Sequence, residues 1–223
     1  MLATQEPTAT PASERESDRG APRRGLGCAV EVIETLVLTL LIYLVIHNFV
    51  AQPFEVRQTS MLPTFVEGEY ILIDKITPRF GEYEYGDVVV FEAPDATGGA
   101  GDFPFIKRVV GLPGDAVQLE NGRVFVTQPG GLPVRIEESY VSRGPNGSAA
   151  PTLCPRPTCP DHWVVPDGSY FVMGDNRAAS QDSRAFGPVS KEMILGRAWL
   201  RYFPLDRVAV INDRSVARAL EHR

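Results

Sequence analysis

Two residues of this sequence are of the right type to make a nucleophile and its base. Ser60 lies in Gln58-Thr59-Ser60-Met61-Leu62-Pro63-Thr64, and Lys107 lies in Phe105-Ile106-Lys107-Arg108-Val109-Val110-Gly111. A serine hydroxyl is a weak nucleophile at neutral pH and needs a base within hydrogen-bond reach. The three histidines are poorly set to be that base. His47 falls in an apolar run, His162 follows a Cys- and Pro-rich stretch, and His222 is the penultimate residue. Lys107 has apolar neighbours alternating around it, as on a half-buried strand. Burial strips an ammonium of its hydration. It can take a lysine from a reference pKa of about 10.4 down to about 5–6, leaving a neutral amine able to accept the serine proton.

A serine before a turn and a lysine on a strand are each ordinary features, and a third stretch makes the pair specific. Gly174-Asp175-Asn176-Arg177-Ala178-Ala179-Ser180-Gln181-Asp182-Ser183-Arg184-Ala185-Phe186-Gly187 is dense in Gly, Asx, Ser and Arg, the composition of a tight, internally hydrogen-bonded loop. Ser60 to Thr64, Lys107-Arg108-Val109-Val110-Gly111-Leu112-Pro113-Gly114-Asp115 and the Gly174 to Gly187 loop follow an apolar segment in that order. Together they resemble the type I signal peptidases, over residues 30 to 212.

The resemblance implies a mechanism and roles for individual residues. Ser60 attacks the scissile carbonyl, and neutral Lys107 takes its proton and later returns it to the leaving amine, with an acyl-enzyme between the two halves. The oxyanion is held by the Ser60 backbone N–H and a donor two residues earlier, which is Gln58 here. Family members often carry a small or hydroxylated residue at that position, so Gln58 is a departure. Ser180 matches a serine that hydrogen-bonds the lysine amine. Asp182 and Arg184 match an ion pair that braces the loop, and Asp175 and Arg177 are expected to be structural. The implied substrates are secretory preproteins whose signal peptides end in Ala-x-Ala-like sequences, bound as extended peptide along a strand edge with small side chains in small pockets. No cofactor is implied.

These residues need elements to position them. The 223 residues, 43% of them hydrophobic, suffice for one membrane span and one domain of normal size. The net charge of −6 and the lack of a basic stripe with interleaved aromatics argue against a nucleic-acid partner. Twenty glycines and 19 prolines indicate many turns and favour an all-β domain. The expected fold class is mainly β, a mostly antiparallel twisted domain on one amino-terminal transmembrane helix, which is also what the resemblance implies.

In chain order, residues 1–28 have almost no large apolar side chains and read as a disordered cytoplasmic tail. Residues 29–51 read as a transmembrane helix, since Ile33 to Val50 as a helix would be about 27 Å long, close to the thickness of the hydrocarbon layer. A cleaved signal peptide is the rival, but the apolar part is long and lacks a convincing small-residue cleavage site. Arg15, Arg19, Arg23 and Arg24 precede it and Arg57 alone follows closely, so the amino terminus is expected in the cytoplasm of a single-pass plasma-membrane protein. Membrane lipid is thus an expected partner. Ten extended residues reach at most about 36 Å, which holds Ser60 near the bilayer surface. Met61, Leu62 and Phe65 fit either insertion at that surface or a buried core.

Residues 52–212 are expected to form the extracytoplasmic catalytic domain, with an inserted hairpin and loop subdomain at about 94–165. Short strands are expected at Phe54–Arg57, Tyr70–Ile76, Asp87–Phe91, Ser169–Met173 and, closing the sheet, Gly196–Phe203. Asn121-Gly122 between two short apolar runs is the pair a type I′ hairpin prefers. Cys154 and Cys159 are expected to form a disulfide closing a short peripheral loop, worth about 2 kcal/mol. His162 alone cannot complete a zinc site with them, so no metal is expected. Cys28 is expected to be a free thiol. Residues 213–223 read as a polar tail, a short exposed helix or a frayed end.

Four alternatives are weighed against this reading. Self-cleaving repressor proteases use a Ser/Lys dyad but are soluble and bind DNA, against the anchor and acidic balance. A non-enzymatic anchored β module leaves Ser60, Lys107 and the Gly174 loop unexplained. An inactive paralogue or another membrane-bound Ser/Lys protease shares the pattern.

Overall fold

The computed structural model describes residues 24–94, 103–144, 146–155, 160–212 and 215–221, with the side chains of 24–26, 77, 78 and 221 left aside. Residues 1–23, 95–102 and Cys159 lie outside the described residues. The chain divides into two units, Met1–Tyr43 and Leu44–Arg223.

The first unit holds most of helix α1, Arg24–Val45, which continues into a π-helical turn at Ile46–Val50. The stretch Gly27–Val50 is long and apolar enough to cross a membrane. From Val30 to Ile46 its leucines, isoleucines and valines are exposed, as in a helix that meets lipid rather than a protein core. Thr35 and Thr39 donate their hydroxyls to the carbonyls of Glu31 and Thr35, so neither hydroxyl needs water.

The second unit is built from antiparallel strands: β1 Ala51–Glu55, β2 Tyr70–Asp74, β3 Val88–Phe91, β4 Phe105–Gly111, β5 Ala116–Glu120, β6 Arg123–Thr127, β7 Val134–Arg135, β8 His162–Val164, β9 Ser169–Met173, β10 Val189–Ser190, β11 Ile194–Phe203 and β12 Ala209–Val210. A short helical turn α2, Thr77–Phe80, follows β2; α3, Ser183–Phe186, lies between β9 and β10; α4, Ser215–Glu221, ends the chain described. One sheet runs β1-β2-β11-β3-β4-β9-β10 with β12 on β11, and a second runs β7-β6-β5-β8. The β5–β6 hairpin turns at Asn121 and Gly122, with φ of 50° and 73°, the left-handed pair that a type I′ turn requires.

Three expectations change. β11 does not close the sheet; it sits between β2 and β3, because a late strand pairs with early ones on both edges. β4 is buried at every position rather than on one face, since β3 and β9 flank it and core clusters lie on both sides. The carboxy-terminal segment is not a frayed or exposed tail: α4 buries Val216 and Leu220 in the core of the second sheet beside Val134 and Trp163. Met61 and Phe65 are core residues, packed with Val56 and Ile71, and so are unavailable to a membrane surface.

Candidate active site

Ser60 sits in a tight 3-10 turn, Thr59–Met61, entered from extended Gln58. Burying Met61 and Phe65 pins the turn from below. From above, the Asn176 N–H donates to the Ser60 carbonyl at 2.9 Å and the Asn176 side chain to the Thr59 carbonyl at 3.2 Å. The Thr64 hydroxyl donates to Asp175. The serine turn and the Gly174 loop are therefore one hydrogen-bonded body.

Lys107 is placed by β4, opposite Val89 of β3. Its Nζ lies 2.8 Å from Ser60 Oγ and 2.9 Å from the Ile106 carbonyl oxygen. The side chain is almost wholly buried, and among the described residues no carboxylate touches it. Burial, only partly offset by the charges of Asp182 and Asp175, pushes the Lys107 amine down to about 8. At pH 7 a minor fraction of the amine, on the order of a tenth, is then neutral, with its lone pair available to the serine proton.

Gly174 lets the loop approach this pair. A Cβ there would lie 2.2 Å from Ser180 Oγ and 2.5 Å from the Ser60 carbonyl oxygen, distances no side chain tolerates. Ser180 is buried beside it, but the expected hydrogen bond from Ser180 to Lys107 is absent: the amine is bonded to Ser60 and Ile106 instead.

Asp182 and Arg184 meet in a buried two-pronged pair at 2.8 Å. Asp182 also accepts from the N–H groups of Gly174 and Arg184 and caps α3. Burial opposes the Asp182 carboxylate, but the bonds and charge of Arg184 outweigh it and hold the carboxyl below its ordinary range. Asp175 and Arg177 do not pair with each other. Asp175 takes both prongs of Arg108 at 2.8 and 2.9 Å, and Arg177 pairs with Glu138 and bonds Thr152 at 2.9 Å. Arg108 also stacks 4.0 Å from the Tyr140 ring centre. Arg108, Glu138, Tyr140 and Thr152 are supports the sequence reading passed over. For Arg108 there was a signal, an arginine beside Lys107 in an apolar strand, since a buried guanidinium demands a carboxylate.

Gln58, Ser60, Phe105, Lys107, Ala179 and Gln181 line one open cleft. A second, more apolar pocket adjoins it through Gln58 and is walled by Phe54, Val56, Ile71, Phe103 and Ile106. Cys154 is disulfide-bonded, and its expected partner Cys159 lies outside the described residues; Cys28 is a free, exposed thiol. Among the described residues no group of His, Cys, Asp and Glu is placed to hold a metal ion.

A serine hydroxyl with a buried amine at hydrogen-bond distance, opening on a cleft in a β domain, is an arrangement capable of acyl transfer. The chain belongs to the signal peptidase family, peptidase S26, whose profile matches residues 29–203, and is therefore a hydrolase of peptide bonds. It is 34% identical over 194 residues to a probable signal peptidase I-2 of a Synechocystis species, covering 86% of this chain and 81% of that one. It is 35% identical to a signal peptidase I of Leptolyngbya laminosa, covering 80% and 82%, and 31% identical to a signal peptidase I of Bacillus licheniformis, covering 80% and 90%. A solved signal peptidase I from Enterococcus faecalis aligns with 52% of this chain and 97% of its own, with 26% identity and a TM-score of 0.36. The apolar helix α1 fits a membrane-anchored member of the family.

Proposed function

We propose that the protein removes signal peptides from exported preproteins, cutting after Ala-x-Ala-like sites through a Ser60/Lys107 dyad and an acyl-enzyme. The carrying observation is the 2.8 Å approach of a buried, pKa-lowered amine to the serine oxygen. Neutral Lys107 accepts the Ser60 proton as Oγ attacks the scissile carbonyl. The resulting ammonium gives that proton to the departing amine, and the freed amine then deprotonates the water that hydrolyses the acyl-enzyme. The Ser60 N–H and the Gln58 side chain, on the same cleft, are the proposed oxyanion donors.

Specificity follows from the two adjoining pockets. Among the described strands β1 pairs only with β2, so its other edge is open to an extended substrate strand. Alternate side chains of such a strand fall on one face, so two small residues separated by one can fill the two pockets in turn. In this reading the catalytic domain lies on the extracytoplasmic side and the amino terminus in the cytoplasm.

The test is cleavage of a preprotein bearing an Ala-x-Ala site by the full chain in liposomes, with the product amino terminus sequenced. The wild type cuts after that site, whereas folded Ser60→Ala and Lys107→Met do not. Near-normal cleavage by Lys107→Met would place the base elsewhere, and an inactive wild type would make this an inactive paralogue.

A further inference from the structure

At the far end of β2, cations gather that the fold does not neutralise. Lys75, Arg79 and Lys191 line a notch with Tyr83 and Gly196, where Glu192 supplies a carboxylate. Lys191 is taken: its ammonium bonds Glu82 at 2.7 Å and the Gly81 carbonyl at 2.9 Å. Lys75 and Arg79 have no carboxylate at ion-pair distance among the described residues. Burial and then the positive charge of Arg79 lower the Lys75 amine from its ordinary value, as expected of two cations held together without a counterion.

Both residues are tied to the end of the apolar helix. The Lys75 N–H donates to the Val50 carbonyl at 3.0 Å, and the Arg79 guanidinium lies 5.1 Å from the centre of the Phe49 ring. Val50 is the last residue of the stretch fit to span a bilayer. A spanning helix leaves the hydrocarbon for the phosphate layer at such a point. On the same turn Ile76 and Phe80 are 41% and 89% exposed, an apolar pair beside the two cations.

We propose that Lys75 and Arg79 bind the phosphodiester of an anionic phospholipid at the point where the apolar helix leaves the bilayer, with Ile76 and Phe80 at the acyl boundary. Charge selects an anion, and the tie to Phe49 and Val50 selects the membrane as its source. A free phosphate would leave the exposed Phe80 without a role. The site adds a lipid-specific contact beside the helix anchor, and it depends on insertion of that helix rather than on the catalytic assignment.

The test is native mass spectrometry of the full chain released from detergent micelles, offered phosphatidylglycerol or phosphatidylcholine. The wild type retains phosphatidylglycerol in preference. Each basic residue near an anionic surface is worth about 1 kcal/mol, so Lys75→Gln/Arg79→Gln should lose that preference by roughly tenfold or more. Arg79→Lys, which keeps the charge, and Arg123→Gln, elsewhere on the domain, should retain it. Should the double variant show a lowered thermal transition, Lys75→Gln alone is measured, with a loss of roughly threefold to fivefold expected. Equal retention by wild type and variants overturns the site. Complete displacement by millimolar inorganic phosphate, with no preference between the two lipids, overturns the membrane as the source. Preprotein cleavage is not the readout, so failure here leaves the catalytic proposal standing.

Discussion

Lys107 Nζ stands 2.8 Å from Ser60 Oγ with the Ile106 carbonyl 2.9 Å away, an arrangement that suits the neutral amine. A neutral amine has two hydrogens and one lone pair. One hydrogen goes to Ile106, and with the second turned aside the lone pair can face the serine. The same burial that makes this possible destabilises the charged form, and two measurements read that effect separately.

The first is the pH dependence of cleavage. With the Lys107 amine pushed down to about 8, the active, neutral form grows as pH rises through that value. kcat/KM should increase about tenfold per pH unit below 8 and level off above it. A profile already flat at pH 6 to 7 would mean that a different group is the base.

The second is stability. Lys107 binds its proton more weakly in the folded chain than in the unfolded one, where its value is 10.5. Between about pH 8 and 10.5 the unfolded state therefore carries more protons, and folding stability rises with pH in that window. The penalty is fully present below pH 8 and amounts to about 3 kcal/mol. Lys107→Met removes it, at the cost of leaving the Ile106 carbonyl without that donor. The variant should therefore melt above the wild type at pH 7, with the advantage shrinking as pH approaches 10. A variant less stable at pH 7 and unchanged by pH would show that the buried amine is not under strain.

How much of this the sequence disclosed depends on range. The β5–β6 hairpin was legible because Asn121-Gly122 is a local signal: its geometry is set by two residues that tolerate positive φ. Ser60, Lys107 and the Gly174 loop were legible as motifs, and the structure brings them together. The placement of β11 between β2 and β3 was not legible, since pairing across more than a hundred residues leaves no mark in a strand's own periodicity. Nor was the exchange of partners among the charges. Asp175 and Arg177 are two residues apart, yet each finds its counterion far away, in Arg108 and Glu138. Val216 and Leu220 lie in a stretch whose polar composition reads as a tail, and only the second sheet supplies the surface they cover.

Gly174→Ala should abolish cleavage and lower stability together. Its Cβ would strike Ser180 Oγ and, more seriously, the Ser60 backbone carbonyl, which cannot rotate away. The serine turn must move to admit it, which separates Ser60 from Lys107. A folded Ala variant with wild-type kcat/KM would show that the loop is not a rigid partner of the turn.

Arg184→Ala should be among the most destabilising single changes in the domain. It leaves the wholly buried Asp182 carboxylate without its two-pronged partner, a loss of about 3–5 kcal/mol at neutral pH. In the wild type the lowered Asp182 pKa contributes stability above the unfolded carboxyl value, lost as pH falls through the folded one. In the variant the carboxyl protonates more readily, so the gap in melting temperature should be wide at pH 7 and narrower near pH 4. A gap independent of pH would assign the loss to packing alone.

Gln58 is the proposed second oxyanion donor, and its substitution tests that assignment. Its backbone is extended, it lines the Ser60 cleft, and its side chain has no hydrogen-bond partner among the described residues, so the amide is free for substrate. A donor that meets the oxygen only as negative charge develops lowers the barrier without tightening ground-state binding. Gln58→Ala should therefore reduce kcat by about 10²–10³ with little change in KM, as loss of one oxyanion donor does elsewhere. Gln58→Ser, which restores a short donor, should recover part of that rate. Because Gln58 also borders the neighbouring apolar pocket, a rise in KM with kcat intact would assign it to substrate selection and leave the second donor to the backbone.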